Sequence, residues 1–112
     1  MITIWHNPRC SKSRQTLALV EEKGPATVRR YLEDNPSMTE IRTALDLLGI
    51  PAVELMRVKE KRFTELGLSK TDDDAVLIQA MAENPVLIER PIVFANGKAA
   101  LGRPPEDVLT IL

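Results

Sequence analysis

The tightest constraint on this chain lies at its start. Ile2-Thr3-Ile4-Trp5 is β-branched and aromatic, reads as a short strand, and runs directly into an Asn7-Pro8 break. From Ser11 to Lys23 the residues suit a helix, with Leu17 and Val20 three apart and Gly24-Pro25 as a stop. Residues 27–32 (Thr-Val-Arg-Arg-Tyr-Leu) then read as a second strand. A strand-helix-strand crossover of this length implies parallel pairing with a right-handed connection.

Between about residues 37 and 83 the periodicity becomes helical. Ser37-Met38-Thr39-Glu40 has the form of a capping box, and Ile41, Ala44, Leu45 and Leu48 make an apolar stripe that ends at Gly49. Pro51 is placed to open a short helical piece through Met56. A further helix from about Asp72 to Glu83 carries acids in its first turn, turns Leu77, Ile78 and Met81 inward, and stops at Asn84-Pro85. Ile92–Ala95 and Lys98–Leu101 flank Asn96-Gly97, a pair that tolerates the positive φ values of a type I′ hairpin turn. Pro104-Pro105-Glu106 starts a last helix, expected to bury Val108, Leu109 and Leu112. The order is that of an α/β, thioredoxin-like mixed sheet: strand-helix-strand, a helical insertion at about 37–83, a hairpin and a C-terminal helix. One domain, 1–112, is expected.

Composition removes several classes of function. Fifteen Lys and Arg against sixteen Asp and Glu leave a net charge of -1, which argues against the phosphate backbone of nucleic acid as a partner. No apolar run is long enough to span a bilayer, and MITIWHNPRC lacks the pattern of a secretory leader, so a cytoplasmic chain starting near Met1 is expected. One cysteine and one histidine exclude an internal disulfide and an ordinary structural zinc site. No metal and no tightly bound cofactor are expected.

The chemistry centres on that single cysteine. Cys10 falls at the turn from strand to helix, where unpaired N–H groups and the helix dipole favour a thiolate. Arg9, Lys12 and Arg14 lie within four residues and add positive field, which lowers a thiol pKa and attracts oxyanions. A lone cysteine is commonly a small buried hydrophobe, but inert ones seldom occupy a polar, cationic loop such as Asn7-Pro8-Arg9-Cys10-Ser11-Lys12-Ser13-Arg14. Ser13 occupies the place of the second cysteine of a dithiol pair, so an adduct on Cys10 needs an external thiol to resolve it. Two readings of His6 stay open: it raises the local positive potential, or it only orders the loop. Arg57, Arg90 and Arg103 each sit at an element end beside mostly apolar sequence. Singly they read as structural or surface residues; together with an activated cysteine they would make a guanidinium cradle for a tetrahedral oxyanion.

The whole chain resembles the glutaredoxin- or glutathione-coupled arsenate reductases. The matching segments are His6-Asn7-Pro8-Arg9-Cys10 with Ser13-Arg14 and Leu17; Glu65-Leu66-Gly67-Leu68; Pro85-Val86-Leu87-Ile88-Glu89-Arg90-Pro91-Ile92-Val93; and Gly102-Arg103-Pro104-Pro105-Glu106 with Val108-Leu109. The resemblance implies a thioredoxin-like fold, Cys10 as the residue that attacks arsenate, and His6 as a catalytic residue that helps activate the thiol. It also implies oxyanion binding by Arg57, Arg90 and Arg103, with Ser13 and Arg14 of the first motif, glutathione and glutaredoxin as external thiols, and a cis peptide before Pro91. Arg9 departs from the pattern, because the well-studied reductases carry a small residue there. Two other functions are compatible with the fold. One is a glutathione-dependent thiol-disulfide reductase. The other is a redox regulator that binds RNA polymerase, although Ser13 removes the internal disulfide switch of such proteins.

Overall fold

The computed structural model describes residues 1–112, which form two compact units: Met1–Asp34 with Arg90–Leu112, and Asn35–Glu89. In the first unit, β1 (Ile2–Trp5), α1 (Ser11–Lys23), β2 (Ala26–Arg29), β3 (Ile92–Ala95) and β4 (Lys98–Leu101) are followed by a 3₁₀ helix at Pro105–Ile111. The sheet order is β2-β1-β3-β4. β1 pairs in parallel with β2 and antiparallel with β3, and β3 and β4 form the hairpin. Asn96 and Gly97 hold the turn at φ 55° and 73°, as the Asn-Gly pair requires.

Register decides which side chains meet. Ile4 lies opposite Val93 and Ile2 opposite Ala95, so alternate residues share one face of the sheet. Val20 of α1, with Val108 and Ile111 of the final 3₁₀ helix, joins Ile4, Val93 and Ala95 in one buried cluster. Each such aliphatic side chain contributes about 1.5–3 kcal/mol on burial.

Two expectations need correction here. β2 ends at Arg29 instead of continuing to residue 32, because Glu33 and Asp34 donate their N–H groups to the Arg30 carbonyl and turn the chain away. The last helix is 3₁₀ rather than α, so its inward period is three residues: Pro105, Val108 and Ile111 are buried while Leu109 is exposed. Leu112 is half-buried against the cluster.

The second unit is helical: α2 (Met38–Leu48), a 3₁₀ turn at Ala52–Leu55, α3 (Lys61–Glu65), α4 (Asp74–Glu83) and a 3₁₀ turn at Pro85–Leu87. The capping box forms as read, with Ser37 Oγ accepting from the Glu40 N–H and the Glu40 carboxylate accepting from the Ser37 N–H. Leu77, Ile78 and Met81 of α4 are buried, and α4 packs against α2 and both 3₁₀ turns. α3 has no strong signal in the sequence, since only Phe63 of its five residues is buried. The unit reaches beyond residue 83, because backbone bonds from Arg57 N–H to the Leu87 carbonyl (2.8 Å) and from Glu89 N–H to the Leu55 carbonyl (2.7 Å) tie its last residues down. No helix in the chain is long and apolar enough to cross a membrane.

Candidate active site

The first unit builds its site on the loop between β1 and α1. Cys10 is the N-cap of α1, extended at φ -96° and ψ 123°, with its own N–H donating to the Asn7 carbonyl (3.0 Å) and its carbonyl receiving the Arg14 N–H (3.0 Å). The next amides therefore face the sulfur with no carbonyl partner from a preceding turn. Partial burial pushes the thiol pKa up. The backbone amides of Ser13 and Lys12, with the Arg90 guanidinium, outweigh it and hold the pKa below the ordinary thiol value.

Behind the cysteine lies a buried polar pair. The Ser13 side chain is fully buried and His6 is 5% exposed. Ser13 Oγ accepts the Asn7 N–H (3.0 Å) and lies 2.7 Å from His6 Nδ1. The tautomer that satisfies both groups has the Ser13 hydroxyl donating to Nδ1 and the ring proton on Nε2. Burial, with the charges of Arg30 and Arg14, lowers the His6 pKa against a smaller opposing effect of Glu21, so the ring is neutral near pH 7. His6 is further fixed by its N–H bond to the Arg29 carbonyl (2.8 Å), which prolongs the pairing of β1 with β2. Asn7 Oδ1 accepts the Arg9 N–H (3.0 Å) and shapes the loop.

The arginines take different places. The Arg90 guanidinium reaches Cys10. Arg103 is exposed, and its Nε donates to the Arg90 carbonyl (2.9 Å), so the two arginines are neighbours. The peptide bonds that follow both are cis, to Pro91 as the resemblance implied and also to Pro104. Arg14 is exposed, and its Nη1 donates to the Pro8 carbonyl (3.0 Å), bracing the loop. Arg57 belongs to the second unit, where its guanidinium pairs with Glu60. The Ser13 hydroxyl is spent on His6 and Asn7, while its backbone serves the sulfur. No cluster of acidic, histidine or cysteine side chains suitable for a metal ion exists.

Two further residues, Gly102 and Thr16, complete the architecture. A Cβ on Gly102 would lie 2.5 Å from Thr16 Oγ1 and 2.7 Å from Pro91 Cγ, so only glycine lets the end of β4 approach α1 and Pro91 this closely. Thr16 is buried, with its hydroxyl donating to the Lys12 carbonyl (2.8 Å). A Gly between Leu101 and Arg103 at a strand end is the one local sign of the former; nothing local marks the latter.

An activated thiol beside guanidinium groups and helix-start amides is equipped for nucleophilic attack on an anionic centre. The profile of the ArsC family matches residues 5–111. This chain belongs to the ArsC family. An arsenate reductase of Neisseria meningitidis is 47% identical over 114 residues, covering 99% of this chain and 97% of the relative. The Escherichia coli protein YfgD, whose function is uncharacterised, is 52% identical over 99% of this chain and 96% of its own length. Among solved structures, the arsenate reductase of Vibrio cholerae superposes with a TM-score of 0.95 at 49% identity, covering 99% of this chain and 97% of that one. The thioredoxin-like fold of the ArsC family is therefore the fold of this chain.

Proposed function

We propose that this ArsC-family protein is an arsenate reductase that uses one nucleophilic cysteine and takes its second electron-donating thiol from glutathione. The observation that carries the reading is the Cys10 thiol, lowered in pKa by the start of α1 and by Arg90, in a chain with no second cysteine.

The Cys10 thiolate attacks arsenic, a sulfur–arsenic bond forms, and one arsenate oxygen leaves as hydroxide or water. Arg90 and Arg103 neutralise the developing charge, and Arg57 is assigned the same role on the family resemblance alone. His6 and Ser13 hold the loop in its reactive shape. The glutathione thiolate then attacks the Cys10 sulfur. The sulfur–arsenic bond breaks with its electron pair going to arsenic, arsenite departs, and Cys10 and glutathione are left oxidised as a mixed disulfide. A glutaredoxin thiol takes the glutathione sulfur and returns Cys10 to its thiolate.

Coupled turnover of wild type and Cys10→Ser with arsenate, glutathione and glutaredoxin tests the proposal. The serine variant is expected to be inactive. Equal rates would overturn the mechanism.

A further inference from the structure

Next to the cysteine loop, the first unit has a cavity of about 210 Å³ that the chemistry above does not use, lined among others by His6, Pro8, Arg9, Arg30, Leu32 and Glu33. Its surface is mostly apolar, and both arginines are exposed residues. Arg30 and Glu33 are 3.8 Å apart, a loose, solvent-accessible pair. Arg14 braces Pro8 of this lining, its Nη1 donating to the Pro8 carbonyl.

We propose that this cavity receives the glycyl end of glutathione, with Arg9 and Arg30 taking its terminal carboxylate. The inference rests on the reading that glutathione is the second thiol. Size favours one end of the tripeptide, because sites that enclose a whole drug-sized ligand span about 300–1,000 Å³. Charge favours the glycyl end, which carries a carboxylate and no ammonium group, and Arg9 immediately precedes Cys10 in the chain, so a ligand held there lies next to the reactive loop. The γ-glutamyl end fits worse, since its ammonium group would face guanidiniums. Glu33 competes for Arg30, so it weakens the site. Arg9, which departs from the residue of the well-studied reductases, thereby acquires a role in selecting the thiol.

Titration of the reduced protein with S-methylglutathione, which cannot exchange disulfides, and with its glycyl ethyl ester tests the assignment by calorimetry or NMR. Wild type is expected to saturate with S-methylglutathione and to bind the ester about three- to tenfold more weakly, the worth of an exposed charge-assisted contact. The Arg9→Ala/Arg30→Ala double variant is expected to lose that preference, and Glu33→Gln to bind S-methylglutathione more tightly than wild type. Each ratio is internal to one protein sample, so it survives changes in stability. Equal binding of both compounds by wild type, absence of saturable binding, or a preference retained in the double variant would overturn the inference. Because the readout needs no arsenate, the two readings fail separately. A preference for the free carboxylate without arsenate turnover sinks the proposed reaction alone, and turnover with glutathione that is indifferent to the ester sinks this site alone.

Discussion

In the first unit three polar side chains, His6, Ser13 and Thr16, are buried alongside the apolar cluster, whereas the buried side chains of the second unit are apolar throughout, from Ile41 to Ile88. Burying a polar group is unfavourable unless its hydrogen bonds are kept, and all three keep theirs: Ser13 with His6 and Asn7, Thr16 with the Lys12 carbonyl. All three also lie in or beside the loop that holds Cys10. An interior chosen for stability alone fills with Leu, Ile and Met, as the second unit does; the first departs from that rule where the thiol has to be positioned.

The contrast can be broken by experiment. Its largest expected effect is in the second unit, where Leu77 is 1% exposed. Leu77→Ala is expected to lower unfolding free energy by about 2–5 kcal/mol through loss of burial and the cavity left behind. Thermal or urea unfolding measures this, and the pH midpoint of Cys10 alkylation should stay put; a shifted midpoint would show that the units do not divide stability from reactivity in this way. Arg90→Lys reverses the pattern. It is expected to slow arsenate-dependent turnover about 10- to 100-fold, since an ammonium cannot reproduce the guanidinium fork. Arg90→Ala should move the pH midpoint of iodoacetamide alkylation upward towards an ordinary thiol, because the charge and hydrogen bond that depress it are removed.

Gly102→Ala sharpens the comparison from the packing side. Its Cβ has no room against Thr16 and Pro91, and overpacking of this kind costs about 1–3 kcal/mol, visible as a lower Tm. The smallest effect concerns His6. Its folded pKa lies below the ordinary 6.5, chiefly through burial, so the unfolded chain takes up the proton first as pH falls. The stabilisation is therefore complete above about pH 6.5 and is lost as pH drops through the lowered folded value. Tm measured across that interval should decline in wild type and decline less in His6→Gln; equal slopes would remove His6 from the account.

Much of this was legible from local signals. Cys10 at a helix start, the capping box at Ser37, the Asn96-Gly97 turn and the stop at Gly24-Pro25 each act over a few residues, and each stands in the structure as read. The surroundings of Cys10 were less legible. Arg30 reads as a strand residue, yet it lies just beyond the end of β2 and lines a cavity; Thr16 reads as an ordinary helix position, yet it is buried under Gly102. Arg14 reads as an oxyanion ligand, and in the structure its Nη1 donates to the Pro8 carbonyl, a contact no local signal announces. Long side chains have several rotamers, and their choice among them depends on neighbours distant in sequence.

By itself the sequence determined the strand-helix-strand start, the parallel pairing of β1 with β2, the hairpin of β3 and β4 and the place of the one cysteine at a helix start, because caps, turn residues and hydrophobic period are properties of neighbouring residues. Only the tertiary structure decided that the final helix winds with three residues per turn and so buries Ile111 instead of Leu109, and that Arg90 bears on the sulfur. Those outcomes follow from how closely separate segments pack, which no stretch of contiguous residues encodes.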